Sequence, residues 1–100
     1  MDRVALLIDV LLDQNAREDE RDDAAMDLAE FDDDRALNAL VEVASSLSES
    51  SLIVASCGES IGQIVSRGKI GGQVNLNGLR PEALSEIRAA PVYLSGELRK

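Results

Sequence analysis

The chain of 100 residues has the length of a single domain, and its composition, 45% hydrophobic and 29% charged, is that of a protein that folds. The formal net charge of −9 argues against direct binding to nucleic acid, which requires clustered Lys and Arg, and favours a basic partner protein. The alternative is that the acidic residues only keep a small protein soluble.

Two helices are predicted at the N-terminus from apolar side chains at helical spacing. The first covers residues 3–15, with Asp2 as its N-cap. The second covers residues 18–31, and its first turn is acidic because the positive end of the helix dipole favours carboxylates there. These acidic residues are Glu18, Asp19, Glu20, Asp22 and Asp23.

A third helix is predicted after the acidic turn at residues 32–34, which supplies its N-cap. Its apolar face is expected to extend from Leu37 to Leu47. The serine-rich segment 45–51 then breaks the pattern, because serine side chains compete for backbone hydrogen bonds and favour loops and caps.

A fourth helix is predicted over residues 51–66. Gly58 and Gly62 lie four residues apart within it, and each weakens a helix by up to ~1 kcal/mol relative to Ala. Their presence indicates a neighbouring element that approaches the backbone of this helix closely.

The helical spacing of apolar residues becomes less regular after residue 67. Val74 and Leu76 alternate with polar residues, a pattern compatible with a short strand or with an irregular apolar tether, and Asn77-Gly78 is a turn signal. A helix is predicted from Pro81 to residue 90, followed by a last short helix over 92–100.

The first two helices repeat in the next two at a period of 33 residues. A shift by that number places Val4 on Leu37, Leu7 on Leu40, Ala24 on Cys57, Leu28 on Ile61, Ala29 on Gly62 and Phe31 on Ile64. The pattern predicts an all-α fold, a short α-solenoid of helix pairs in a single domain. Its units are residues 1–33 and 34–66, and residues 67–100 form an irregular cap or a degenerate third repeat (Ala90 on Cys57, Leu94 on Ile61, Ser95 on Gly62). The alternative is an ordinary antiparallel helical bundle with helices of similar length.

The motifs Ala24-x-x-x-Leu28-Ala29-x-Phe31 and Cys57-x-x-x-Ile61-Gly62-x-Ile64 carry a family resemblance. Over about residues 1–66 the chain resembles the HEAT-like repeats of the phycobilisome-lyase type. The resemblance implies that the small residues pack each second helix against its neighbours, and it implies little about function because the motif is a packing code.

The residue types of the chain argue against catalysis. There is no His, which removes the commonest general base and most zinc sites. Cys57 lies on an apolar helix face and is interpreted as a core residue. The acidic turn lacks a calcium-loop signature, and residues 68–72 lack the spacing of a phosphate-binding loop. We therefore expect no enzyme activity, cofactor or metal.

Localisation in the cytoplasm is expected, without a membrane partner. Cys57 is the only cysteine, so an intramolecular disulfide is impossible, which agrees with a reducing compartment. The apolar run near the N-terminus is too short and too charged for a signal peptide or a membrane span.

The leading functional hypothesis is a protein-binding module with an acidic face, such as an immunity protein that neutralises a basic, nuclease-like toxin domain. The alternatives are a self-associating scaffold subunit that pairs through an uncovered solenoid end, and an enzyme related to the lyase-type HEAT proteins, which requires Cys57 to be exposed. The predicted partner-binding residues are Glu18, Asp19, Asp22, Asp23, Asp27, Glu30, Asp32, Asp33 and Asp34.

Overall fold

A computed structural model of the chain describes residues 2–72 and 74–89, and this part is all-helical, with no β-strand. The helices are α1 (Arg3–Leu12), α2 (Glu18–Asp27), which is extended by a 3₁₀ turn (Leu28–Glu30), α3 (Asp34–Ala44), α4 (Ser51–Ser66) and α5 (Pro81–Arg88). No helix in the described ranges is both long enough and apolar enough to cross a bilayer.

Side-chain caps fix the starts of three helices. Asp2 Oδ1 accepts a hydrogen bond from the Ala5 N–H at 2.8 Å, which confirms the predicted cap of α1. Asp33 accepts from the Arg35 N–H at 2.8 Å at the start of α3, and Ser50 from the Ile53 N–H at 3.3 Å at the start of α4. Each cap satisfies a backbone donor that the helix itself leaves without a partner.

Two helices end earlier than predicted. α1 ends at Leu12 instead of residue 15, because the Asp13 carboxylate accepts from the Asn15 N–H at 2.9 Å and forms a turn. The prediction that Leu47 continues the buried face of α3 is wrong. α3 ends at Ala44, the Ser45 hydroxyl donates to the Val41 carbonyl oxygen, and Leu47 is 91% exposed in the following loop.

The central element is α4. It packs against α2, α3 and α5, while α1 packs against α2 and α3. Small residues let α4 accept neighbours on several sides, and Ser60 uses its hydroxyl to donate to the Ala25 carbonyl oxygen of α2 at 2.7 Å. The core is aliphatic, and its fully buried large side chains include Leu11, Leu28, Leu40, Ile53, Ile61, Ile64 and Ile87.

The close neighbour that Gly58 of α4 predicts is α5. A Cβ added to Gly58 would overlap the carbonyl oxygen of Ala83 and lie 2.5 Å from its α-carbon. Gly58 therefore makes room for the backbone of α5, and no larger residue fits while α5 stays in place.

Residues 67–72 and 74–80, between α4 and α5, form an irregular tether without a strand. Gly71 adopts a φ of 89°, a conformation that glycine reaches without strain. Leu79 is buried, and the Arg80 N–H donates to the Ala44 carbonyl oxygen at 3.0 Å, which fastens the tether to the end of α3.

The division of the chain into two repeats and a cap or third unit stays a prediction. Pro81 is the first residue of α5, as predicted, and the helix ends at Arg88, two residues before the predicted boundary. Residues 90–100, including Ala90, Leu94, Ser95 and the predicted helix over 92–100, lie outside the described residues.

Candidate functional site

The outer side of α2 carries the most exposed part of the predicted acidic face. Arg21, Ala24 and Ala25 point into the protein, and the opposite side of the helix is therefore exposed. The exposed residues at that spacing are Asp19, Asp23, Met26 and Glu30, which we call the α2 stripe. Glu18 is also exposed, at the first position of α2, where the helix dipole favours its charge.

Two other predicted residues flank the stripe and contact neighbouring helices. Asp22 is half-buried and accepts a hydrogen bond from the Ser56 hydroxyl of α4. Asp27 lies on the side of α1, where it forms an ion pair with Arg3 at 3.6 Å. Asp22 therefore helps to hold α2 against α4, whereas the Arg3–Asp27 pair lies at the surface beside the stripe, with side chains that are 64% and 49% exposed.

The acidic turn at residues 32–34 is largely neutralised by basic side chains of the same chain. Asp32 pairs with Arg67 Nε at 2.8 Å and with Lys69 Nζ at 3.8 Å. Asp33 pairs with Arg35 at 2.8 Å, and this guanidinium holds the pKa of the Asp33 carboxyl below its usual value. Arg35 also pairs with Asp2 at 3.1 Å, so the turn connects the starts of α1 and α3 to the tether after α4.

The nine predicted residues do not form one cluster. α2 is 10 residues long, so its two ends lie about 15 Å apart. Glu18 and Asp19 occupy one end, and Asp32 lies beyond the other. Asp34 is exposed and lines an open groove of about 390 Å³ between α3 and residues 70–72 and 74–75.

The acidic segment also contains a buried basic residue, Arg21, that the sequence pattern does not predict. The Arg21 and Glu49 side chains are only 9% and 4% exposed and form an ion pair at 2.7 Å. Arg21 Nε also donates to the Leu11 carbonyl oxygen at 2.9 Å, and Gln14 Nε2 donates to Glu49 at 3.1 Å. The network joins the end of α1, the first turns of α2 and the loop before α4.

A second arginine holds the same loop from its other side. Arg80 donates to the carbonyl oxygens of Ser46 at 2.9 Å and Glu49 at 2.6 Å, and it pairs with Glu82 at 2.7 Å. The Ser51 hydroxyl donates to the same Glu82 carboxylate at 2.8 Å. The loop between α3 and α4 is therefore braced by charged groups on two sides.

Cys57 is buried in the core, and this burial raises the pKa of its thiol to about 12. At neutral pH the group is a protonated thiol, the form that reacts poorly as a nucleophile. Among residues 2–72 and 74–89, no three His, Cys, Asp or Glu side chains come close enough together to hold a metal ion.

Comparison with models of protein families, with curated proteins and with solved structures found no match. The chemistry of the surface must therefore carry any functional conclusion.

Proposed function

We propose that this protein is a non-catalytic binding module that uses the α2 stripe to bind a basic surface of a partner protein. The observation that carries the proposal is the arrangement of Asp19, Asp23 and Glu30 around a Met26 side chain that is 50% exposed. Methionine adapts to irregular apolar surfaces, so it suits a contact at the centre of a charged patch. The surrounding carboxylates attract and orient a basic partner.

The distribution of charge supports this choice of surface. The acidic turn at 32–34 is occupied by Arg35, Arg67 and Lys69. The α2 stripe points away from the core and from α4, and its Asp19 pairs at 3.2 Å with an Arg17 side chain that is itself 74% exposed. Rim charges act mainly on the association rate and its salt dependence. The complex with the partner is therefore expected to form quickly, and its affinity is expected to fall as salt is added.

Within this proposal the fold is a short α-solenoid of HEAT-like helix pairs. Two observations support it: α1 lies beside α3 and α2 beside α4, as stacked pairs require, and four of the six pairs matched by the 33-residue shift are buried in both units. These four pairs are Val4 with Leu37, Ala24 with Cys57, Leu28 with Ile61 and Ala29 with Gly62.

A more specific form of the proposal is an immunity protein in the cytoplasm that covers a nuclease-like toxin domain. Such a toxin presents a basic surface because its substrate is a polyanion. Size, net charge and the helical fold support this assignment.

The first test neutralises the α2 stripe with the triple variant Asp19→Asn/Asp23→Asn/Glu30→Gln. Each lost surface attraction is worth roughly 0.5 kcal/mol, and together they should weaken the partner complex by about tenfold. Immobilised wild-type protein is used to capture partners at low salt, and the captured protein is then titrated against each variant by calorimetry.

The matched control is Asp9→Asn/Glu42→Gln/Glu59→Gln, which removes the same charge from exposed positions on α1, α3 and α4. The control should bind nearly as well as the wild type. Equal losses of affinity in both variants would show that only net charge matters, and unchanged affinity in the stripe variant would refute the binding surface.

The second candidate function, a self-associating subunit, is favoured by one observation on α1. This helix is apolar on nearly every side, which is typical of a buried helix, yet Leu6 is 52% and Leu12 is 38% exposed. If a second copy covers this face, light scattering at micromolar concentration will give a dimer mass for the wild type and a monomer mass for Leu6→Glu. A monomeric wild type excludes this candidate.

A further inference from the structure

The Asn77-Gly78 step lies at the centre of an exposed turn in the tether between α4 and α5. The Leu79 N–H donates to the Leu76 carbonyl oxygen at 3.2 Å, which closes the turn around the two residues. Both Asn77 and Gly78 are exposed, and the nearest atom to a Cβ added at Gly78 is the Ser45 hydroxyl oxygen at 3.8 Å. Solvent and the Asn77 side chain therefore have free access to the backbone at this step.

We propose that Asn77 is a site of spontaneous covalent modification, deamidation to isoaspartate and aspartate. The Gly78 backbone nitrogen attacks the Asn77 side-chain carbonyl carbon, a C–N bond forms, and the side-chain amide nitrogen leaves as ammonia with the proton that the backbone nitrogen loses. Water then opens the resulting cyclic imide at either carbonyl group. Glycine at position 78 favours the attack because no Cβ shields its nitrogen.

The modified residue lies just before the contacts that hold the start of α5 against the rest of the protein. Opening of the imide toward isoaspartate inserts one extra carbon into the main chain at residue 77, two residues before Leu79 and three before Arg80. Leu79 is buried, and the Arg80 N–H donates to the Ala44 carbonyl oxygen at 3.0 Å. The Arg80 guanidinium also holds the Ser46 and Glu49 carbonyl oxygens. Lengthening the chain here moves all these contacts out of register.

The same protein supplies internal controls. Asn75 is exposed in the same tether but precedes Leu76, whose side chain shields the backbone nitrogen. Asn15 is exposed in the turn after α1 and precedes Ala16. Asn38 lies inside α3, where the helix fixes the backbone. We infer that Asn77 changes well before any of these three.

The test incubates the folded, full-length protein at mildly alkaline pH and physiological temperature, and follows each Asn by peptide mass spectrometry. The Asn77 peptide should gain about one mass unit and react as isoaspartate, and Gly78→Ala should slow this several-fold. An Asn77 that stays intact while Asn75 or Asn15 changes, or a rate unaffected by Gly78→Ala, would overturn the assignment.

The structural consequence is measured by thermal unfolding before and after incubation. Aged wild-type protein should melt at a lower temperature than fresh protein, whereas Asn77→Gln should melt equally before and after. Fresh Asn77→Asp carries the new charge without the extra main-chain carbon, and it should melt close to fresh wild type. If fresh Asn77→Asp melts at a temperature as low as that of aged wild type, the loss of stability does not come from the longer main chain.

Discussion

Exchange of Arg21 for Met is expected to lower the free energy of unfolding by about 3–5 kcal/mol, because it leaves the Glu49 carboxylate buried without its cation. The Glu49 side chain is only 4% exposed, and Arg21 and Gln14 are the side chains that satisfy its two oxygens. Loss of Arg21 also removes the donor to the Leu11 carbonyl oxygen at the end of α1. Since a domain of this size has a total stability of roughly 5–15 kcal/mol, the variant should be severely compromised. Urea unfolding followed by circular dichroism measures the loss.

The control for Arg21→Met is Arg17→Met, which removes the same charge four residues earlier, at the N-cap of α2. The Arg17 side chain is 74% exposed and pairs with Asp19 and Glu20 at the surface, so its removal should cost no more than about 1 kcal/mol. The double variant Arg21→Met/Glu49→Leu removes both buried charges and should recover a large part of the stability lost in Arg21→Met. If Arg21→Met costs no more than Arg17→Met, the ion pair is not the brace that the structure indicates.

The main helices and their caps were accessible from the sequence, because they depend on local interactions. Asp2 and the acidic turn at 32–34 were predicted as caps because a short polar side chain before an apolar helical pattern has few other roles. The start of α4 at Ser51 follows from the same reasoning. Such features need only the neighbouring residues, which the sequence displays directly.

The contacts that brace the loop between α3 and α4 could not be predicted from the sequence, because the residues that make them are distant in the chain. Arg21 stands among acidic residues, and the sequence pattern assigns such a charge to the surface. A signal was nevertheless present: Arg21 lies three and four residues before Ala24 and Ala25, and it therefore shares their buried face. The local pattern does not show Glu49, the partner 28 residues away. Burial of an arginine without such a partner is too costly in free energy, so the local pattern alone does not predict it. The exposure of Leu47 follows from the same loop.

The acidic face was predicted as one surface, and the structure divides it by the location of basic residues. Arg67 and Lys69 follow α4 in the chain yet lie against Asp32, because the end of α4 returns to the turn before α3. Sequence spacing alone gives no warning of this pairing. The α2 stripe is consequently the part of the prediction to test, and charge removal at residues 32–34 would mix binding with stability.

A second large effect is expected at Gly58, where substitution by Ala should destabilise the protein although Ala favours helix. The helix propensity of Ala contributes up to ~1 kcal/mol in favour of the variant. Against it stands the overlap of the new Cβ with the Ala83 backbone, and overpacking of this kind costs about 1–3 kcal/mol. The atoms in conflict belong to the main chain of α5, so no rotamer change relieves them, and the whole helix must move.

The net loss at Gly58 is therefore expected to be about 1–2 kcal/mol, with α5 loosened more than the rest of the protein. Hydrogen exchange should report faster exchange for the amides of Leu84 and Ile87 than for those in the middle of α4. The control is Gly72→Ala, since a Cβ there meets no atom within 4 Å and the φ of Gly72 lies outside the left-handed region. That variant should be neutral or slightly more stable, because Ala restricts the unfolded chain. A Gly58→Ala protein that matches Gly72→Ala in both measurements would show that α5 does not rest on the backbone of α4. The same result would remove the physical reason for a glycine in the middle of this helix.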